Sequence, residues 1–178
     1  MKILKLLIAF SLVFCANAAM AAAPENEIRD AEQVAQVYMT AFFHGDAMTA
    51  ASQLHPESLE KIEVAIVEEV EKAKKTGTTK ELLSQLGFEL DAVELLKMNS
   101  YQIYGEIIKS NHLKAGQAAS QAMKAATVEV VKTDLINPNK ATVYLRIKIP
   151  KNGQFISQDA AISLLRVSGS WKVVPDGQ

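Results

Sequence analysis

Three histidines, a scatter of carboxylates and a few tyrosines are the side chains on which any chemistry in this chain would rest. The histidines are His44, His55 and His112. None forms a His-x-His or His-x-x-x-His pair, and the single cysteine, Cys15, lies far from all three, so the spacing offers no zinc site. Each has an ordinary role available. His44 ends a helical pattern, where the helix dipole favours a cation. His55 precedes Pro56 at a helix junction, and His112 falls in a loop after Asn111 and reads as surface. A Ser-His-Asp triad needs no nearness in sequence, but no Gly-x-Ser-x-Gly elbow supports one. Glycine never occurs as Gly-x-Gly, which removes a phosphate-cradling loop of that kind. Asp134 and Asp159, read as strand-end residues, could serve as a base inside a pocket; the residue type favours turn capping instead. No catalytic, metal-binding or cofactor-binding residue is assigned.

The aromatic residues point towards binding. Tyr38 shares one face of a helical pattern with Phe42. Tyr101 and Tyr104 stand three apart on a later one, and Trp171, the only tryptophan, lies near the C-terminus. Aromatics on a core face are usually core, yet the tyrosine hydroxyl and the indole N–H each need a partner when buried. A cavity with such a lining is the common form of an apolar ligand site with a few polar handles. Tyr38, Tyr101, Tyr104 and Trp171 are therefore the candidate ligand-binding residues, for a small and largely apolar guest. Three readings stand at this point. The first is a non-enzymatic binding or accessory domain. The second is an isomerase- or hydrolase-like enzyme using a pocket carboxylate or histidine. The third is a structural or interaction domain whose interior is filled by its own side chains.

The elements that must hold these residues fall into two groups. The last fifty residues, 127–174, read as four strands in tandem. Over 140–150, Ala141, Val143, Leu145, Ile147 and Ile149 alternate with Thr142, Tyr144, Arg146 and Lys148, the period of a strand with one buried and one wetter face. Residues 127–135 precede it across the Asn137-Pro138-Asn139 turn. Residues 160–167 and 171–174 follow, with Asn152-Gly153 and Ser168-Gly169 at the intervening turns. Short turns between successive strands imply an antiparallel meander. Its outer row of Thr142, Tyr144, Arg146 and Lys148 suggests a homodimer through the sheet, although two-fold pairing would bring like charges together.

Upstream, residues 30–126 read as helical. A first helix over 31–44, capped by Asp30, carries Val34, Val37, Tyr38, Ala41 and Phe42 on one stripe and ends at Gly45. Asp46 opens a short helix, and Pro56 starts a long one over 57–76 with a charged outer face, a pattern that normally marks a solvated side. Thr78 with Glu81 and Asp91 with Glu94 read as capping boxes of two further helices, and another helix covers 101–109. Residues 115–126 are either a last helix or an irregular crossing. The fold class is thus α+β: N-terminal helices packed on a C-terminal antiparallel sheet of about four strands, with an extended helical middle.

Composition sets the remaining bounds. The 178 residues suit one domain, and 49% apolar with 22% charged side chains is a globular balance. A formal net charge of -1 leaves no electrostatic footprint for nucleic acid. Residues 1–21 have the form of a secretory signal peptide: Lys2 and Lys5, an apolar run from Leu6 to Phe14, and small-residue sites at Ala16-Asn17-Ala18 and Ala19-Met20-Ala21. The apolar run is too short for a stable membrane anchor. Phe14 stands before Cys15 where a lipoprotein would carry a small residue. Cleavage after Ala21 and a periplasmic or secreted address are expected.

Two stretches also carry a family resemblance. Residues 34–54, with Tyr38, Phe42, Gly45-Asp46 and Ala50-Ala51, resemble the opening helices of the nuclear transport factor 2-like, or ketosteroid-isomerase-like, superfamily. Gly169-Ser170-Trp171-Lys172-Val173-Val174 is similar to its closing strand. The resemblance implies a curved sheet wrapped around a long first helix to form a cone with a pocket, and it also favours sheet-to-sheet dimers. Residues 57–126 depart from the plain pattern by being longer and more helical. The superfamily's isomerases use a carboxylate base and a tyrosine-containing oxyanion site; no residue here matches those positions, so no catalytic role is carried over.

Overall fold

A computed structural model describes residues 25–175. The expected signal peptide and its cleavage site lie outside the described residues. Seven helices precede four strands. They are α1 (Glu25–His44), α2 (Ala47–Gln53), α3 (Pro56–Thr76), α4 (Thr79–Leu86), α5 (Ala92–Leu95), α6 (Ser100–Ala115), α7 (Gln117–Lys124), β1 (Thr127–Asn137), β2 (Lys140–Lys151), β3 (Gln154–Val167) and β4 (Ser170–Val174). The strands form one curved, unclosed antiparallel sheet in the order β1-β2-β3-β4, so the α+β architecture is the observed one. No described helix is long and apolar enough to cross a membrane.

Turn chemistry builds the meander. Asn152 and Gly153 adopt φ of 51° and 75°, and Ser168 and Gly169 adopt 50° and 85°. Two consecutive positive-φ residues give the two-residue hairpin whose twist matches that of its strands. Of β2, Ala141, Val143, Leu145 and Ile147 are buried, as its alternation requires.

The buried face of the sheet packs on α1, α2 and α7, and α6 joins the same apolar cluster through α2. This includes Ala31, Ala35, Leu54, Leu59, Tyr104, Ile108, Leu145, Leu164 and Trp171. A second cluster, built on Ile66, Val70, Leu83, Phe88, Leu95 and Ile103, holds α3, α4 and α5 against the other side of α6. Ile107 of α6 packs against both.

Local chemistry sets the helix ends. Asp46 accepts the amide of Thr49 at 3.2 Å and caps α2. His55 caps α3 through Nδ1, which accepts the Glu57 amide at 3.2 Å, and Pro56 occupies the first turn. Asp91 with Glu94 and Asn99 with Gln102 form reciprocal capping boxes.

Four expectations are corrected. Asp30 lies inside α1 rather than at its start, because the helix begins at Glu25. The buried line of α1 is Ala31, Ala35 and Ala41, with Val34, Tyr38 and Phe42 flanking it; small side chains let the helix approach the sheet closely. Thr78 precedes α4 but makes no side-chain cap, its hydroxyl being engaged with that of Thr76 at 2.8 Å. Finally, β3 starts at Gln154 rather than near residue 160, paired to β2 from Gln154 to Leu165.

Candidate functional site

The first helix and the sixth bring two candidate tyrosines together. Tyr38 lies one helical turn before Phe42 on α1, with the rings 6.4 Å apart. Tyr104 lies in the first half of α6 and is buried. α2 packs against both helices and sets their separation. The two hydroxyl oxygens are 2.8 Å apart and share a hydrogen bond. Desolvation raises both phenols above the ordinary tyrosine value. Tyr104 is raised further by the charge Tyr38 would carry and by its hydrogen bond, whereas the bond lowers Tyr38 in part. Both are therefore neutral hydrogen-bonding groups at physiological pH, not bases or nucleophiles.

A proton count sharpens this geometry. Two hydroxyls carry two protons, and one hydrogen bond between them uses one. Among the described residues no acceptor is placed for the other. Trp171, in the same cluster, is also buried, and its indole Nε1–H has no hydrogen-bond partner there. The Arg166 guanidinium carbon lies 5.5 Å from the Trp171 ring and leaves that N–H unsatisfied. Among the described residues the Trp171 N–H is the buried side-chain polar atom without a partner, an unusual feature since buried polar groups are nearly always paired.

Of the four candidate residues, then, Tyr38, Tyr104 and Trp171 belong to one core. Tyr101, in the first turn of α6, is 39% exposed and belongs to neither cluster. Two surface concavities lie elsewhere. One is lined by Glu69, Lys72, Thr76, Glu81 and Gln85, the other by Glu57, Lys61, Val64 and Glu68, and neither reaches the tyrosine pair.

The other candidate groups are committed to different partners. Asp134 and Asp159 do not end strands. Both sit within strands and are exposed, and they form ion pairs instead of capping turns. Asp159 accepts from Arg146 Nε at 2.8 Å, and Asp134 accepts from Lys132 Nζ at 2.8 Å. The hydrogen bond from Arg146 holds the Asp159 carboxyl below its ordinary range, which makes it a poorer base. Lys148 pairs with Glu129 at 2.7 Å, and Lys132 stacks over Tyr144 at 4.2 Å. The outer row is thus neutralised by cross-strand partners rather than left as like charge.

His112 is not in a loop. It is buried on α6, with Nδ1 3.0 Å from Ser120 Oγ and Nε2 3.3 Å from the Phe42 carbonyl, and so ties α6 to α7 and α1. It falls one turn after the buried Ile108, the spacing that could have revealed its burial. His44 is exposed and lies 3.3 Å from the Ala126 carbonyl. Among the described residues no cluster of His, Cys, Asp and Glu has a metal-binding arrangement.

No family model, no curated protein and no solved structure matches the chain.

Proposed function

We propose that the protein is an exported, non-enzymatic binding domain for a small, largely apolar ligand carrying one or two hydrogen-bond acceptors. The ligand sits between α1, α6 and the concave face of the sheet. The observation that carries this reading is the Tyr38–Tyr104 hydroxyl pair, whose second proton, like the Trp171 indole N–H, finds no acceptor in the described core. A carbonyl or ether oxygen on an otherwise apolar guest would accept from either donor. The apolar cluster around them supplies the desolvated surround in which such a bond discriminates strongly. Tyr101, exposed in the first turn of α6, stands outside this cluster and is left out of the proposed site. The leader-like residues 1–21 support a periplasmic address. The likeness of residues 34–54 and 169–174 to the nuclear transport factor 2-like superfamily supports a cone-shaped binding site.

Binding without turnover is the form this reading takes, because burial keeps the tyrosines neutral and the candidate acids and His112 already have partners. The test is a titration of Trp171 fluorescence with a medium-chain ketone in the wild type and in Tyr38→Phe and Tyr104→Phe. A saturable shift that weakens in the variants supports the reading, and an unresponsive tryptophan opposes it.

A further inference from the structure

The two edges of the sheet are built differently. At the β1 edge the ladder carries two register irregularities, at Val130/Lys132 and Leu135/Asn137, and the strand bears Glu129, Lys132 and Asp134. Gln36 of α1 donates to the Val128 carbonyl at 2.8 Å. Bulges, charges and a covering helix are the usual devices that stop an edge from pairing. The first part of the β3 edge has no register shift against β2, and its one charged residue is Asp159, paired to Arg146. β4 pairs only with Ser163 to Val167, so residues 154–162 have β2 on one side and no described strand on the other. Every residue from Gln154 to Asp159 is exposed, Phe155 at 66% and Ile156 at 48%.

The backbone parity of this edge is fixed. The Arg166 amide donates to Asn139 at 2.9 Å, so the even-numbered residues of the regular β3 ladder address β2. The odd-numbered residues Phe155, Ser157, Asp159 and Ala161 therefore turn their N–H and C=O groups to the open side.

We propose that this edge pairs antiparallel with the same edge of a second copy of the chain, joining two four-stranded sheets into one continuous sheet. The argument for a second copy is self-complementarity. With the two-fold axis at Gln158, Phe155 faces the partner copy's Ala161 and Ser157 faces its Asp159. All four odd residues of each strand then exchange both backbone hydrogen bonds. The large Phe155 meets a small residue, and the Ser157 hydroxyl meets a carboxylate. On the core side, the exposed Ile156 meets Ala160. Asp159 is the one ionisable side chain between Gln154 and Ile162, and Arg146 already neutralises it, so no like charges are brought together. This contact goes beyond the ligand site, and it is distinct from association through the outer face. There, Arg146 and Lys148 are bound to their cross-strand acids.

Two kinds of variant test it. Ser157→Pro removes an N–H that faces the open side and leaves the β2 ladder intact, and Phe155→Lys changes an exposed side chain. Sedimentation of the intact chain should give a dimer, and each variant should weaken association by at least about tenfold while keeping the native Trp171 emission. In a chain carrying Gln158→Cys with Cys15→Ser, the introduced thiols face each other across the axis at a non-hydrogen-bonded position. Mild oxidation should then link two copies, because such pairs bring Cα atoms to about 4.5 Å, within disulfide reach. A monomer at high micromolar concentration would overturn the proposal. So would a dimer indifferent to both substitutions, or a failure of the Gln158→Cys chain to cross-link while dimeric.

Discussion

The hydroxyl oxygen of Tyr38 lies 2.8 Å from that of Tyr104, joining the first helix to the sixth across 66 positions of sequence. The pair is a polar contact within the larger apolar cluster, and its physical consequences can be measured apart from any ligand.

The first is an alkaline limit on stability. Burial raises both phenols above the ordinary tyrosine value, so folding favours their protonated, neutral form. A raised folded-state value means the contribution is fully present below the unfolded value. It is lost as pH climbs from there towards the folded value. Denaturant midpoints should hold steady to about pH 9 and fall steeply beyond pH 10, where unfolded tyrosine ionises. Tyr38→Phe and Tyr104→Phe should each flatten that fall. In the native protein, absorbance titration should show Tyr38 and Tyr104 resisting ionisation through the ordinary tyrosine range. Ionisation of these two within that range in a folded chain would contradict their burial.

A second prediction concerns the sheet. Leu145 is fully buried between the strands and the helices, in the cluster that holds Ala31 and Ala35 of α1. Leu145→Ala should cost about 2–5 kcal/mol in a denaturant titration, the loss expected for removing a buried leucine and leaving a cavity. A cost well under about 1 kcal/mol would mean that the sheet and α1 do not share a core.

His112 supplies a third. Its ring bridges Ser120 of α7 and the Phe42 carbonyl at the end of α1. Replacing it with Leu keeps apolar bulk but removes both hydrogen bonds, leaving the Phe42 carbonyl only the Gly45 amide, so His112→Leu should destabilise by about 1–3 kcal/mol. Hydrogen exchange should show faster opening of α7 than of β2. Uniformly unchanged exchange would show that the ring is no tie between these helices.

The leader gives a fourth. Cleavage of residues 1–21 on export should leave a protein that begins near Ala22, after the small residues Ala19 and Ala21. Intact mass settles this directly; a retained leader or a lipid on Cys15 would contradict export by signal cleavage.

How much was legible depended on whether a residue's local pattern agreed with its packing. The β2 alternation could be read because one face is buried and the other wet. Gly45, Asp46, Pro56 and the Asp91–Glu94 box were readable because capping chemistry is local. α6 was harder. It is clasped between two clusters, with Ile103 facing one and Tyr104 and Ile108 the other, so its apolar residues do not fall on a single stripe and its buried histidine is hidden. The first half of β3 was missed for the opposite reason. Gln154 to Asp159 buries no face, so it lacks alternation, and only its pairing with β2 makes it a strand. The Tyr38–Tyr104 contact was half visible: each residue stood out as an aromatic with a polar handle, but nothing local says that the two hydroxyls meet.

We propose that the paired tyrosines offer a spare proton to an acceptor on an apolar guest. A medium-chain ketone and the alkane of equal length, each titrated against Trp171 fluorescence in wild type and in the double variant Tyr38→Phe/Tyr104→Phe, test this at the hydroxyls themselves. Wild type should bind the ketone saturably and about 2–10-fold tighter than the alkane, the value of one neutral hydrogen bond. The double variant, which removes both hydroxyl protons, should lose this preference while keeping alkane binding. No saturable response to the ketone, or a preference that survives the loss of both hydroxyls, would contradict it.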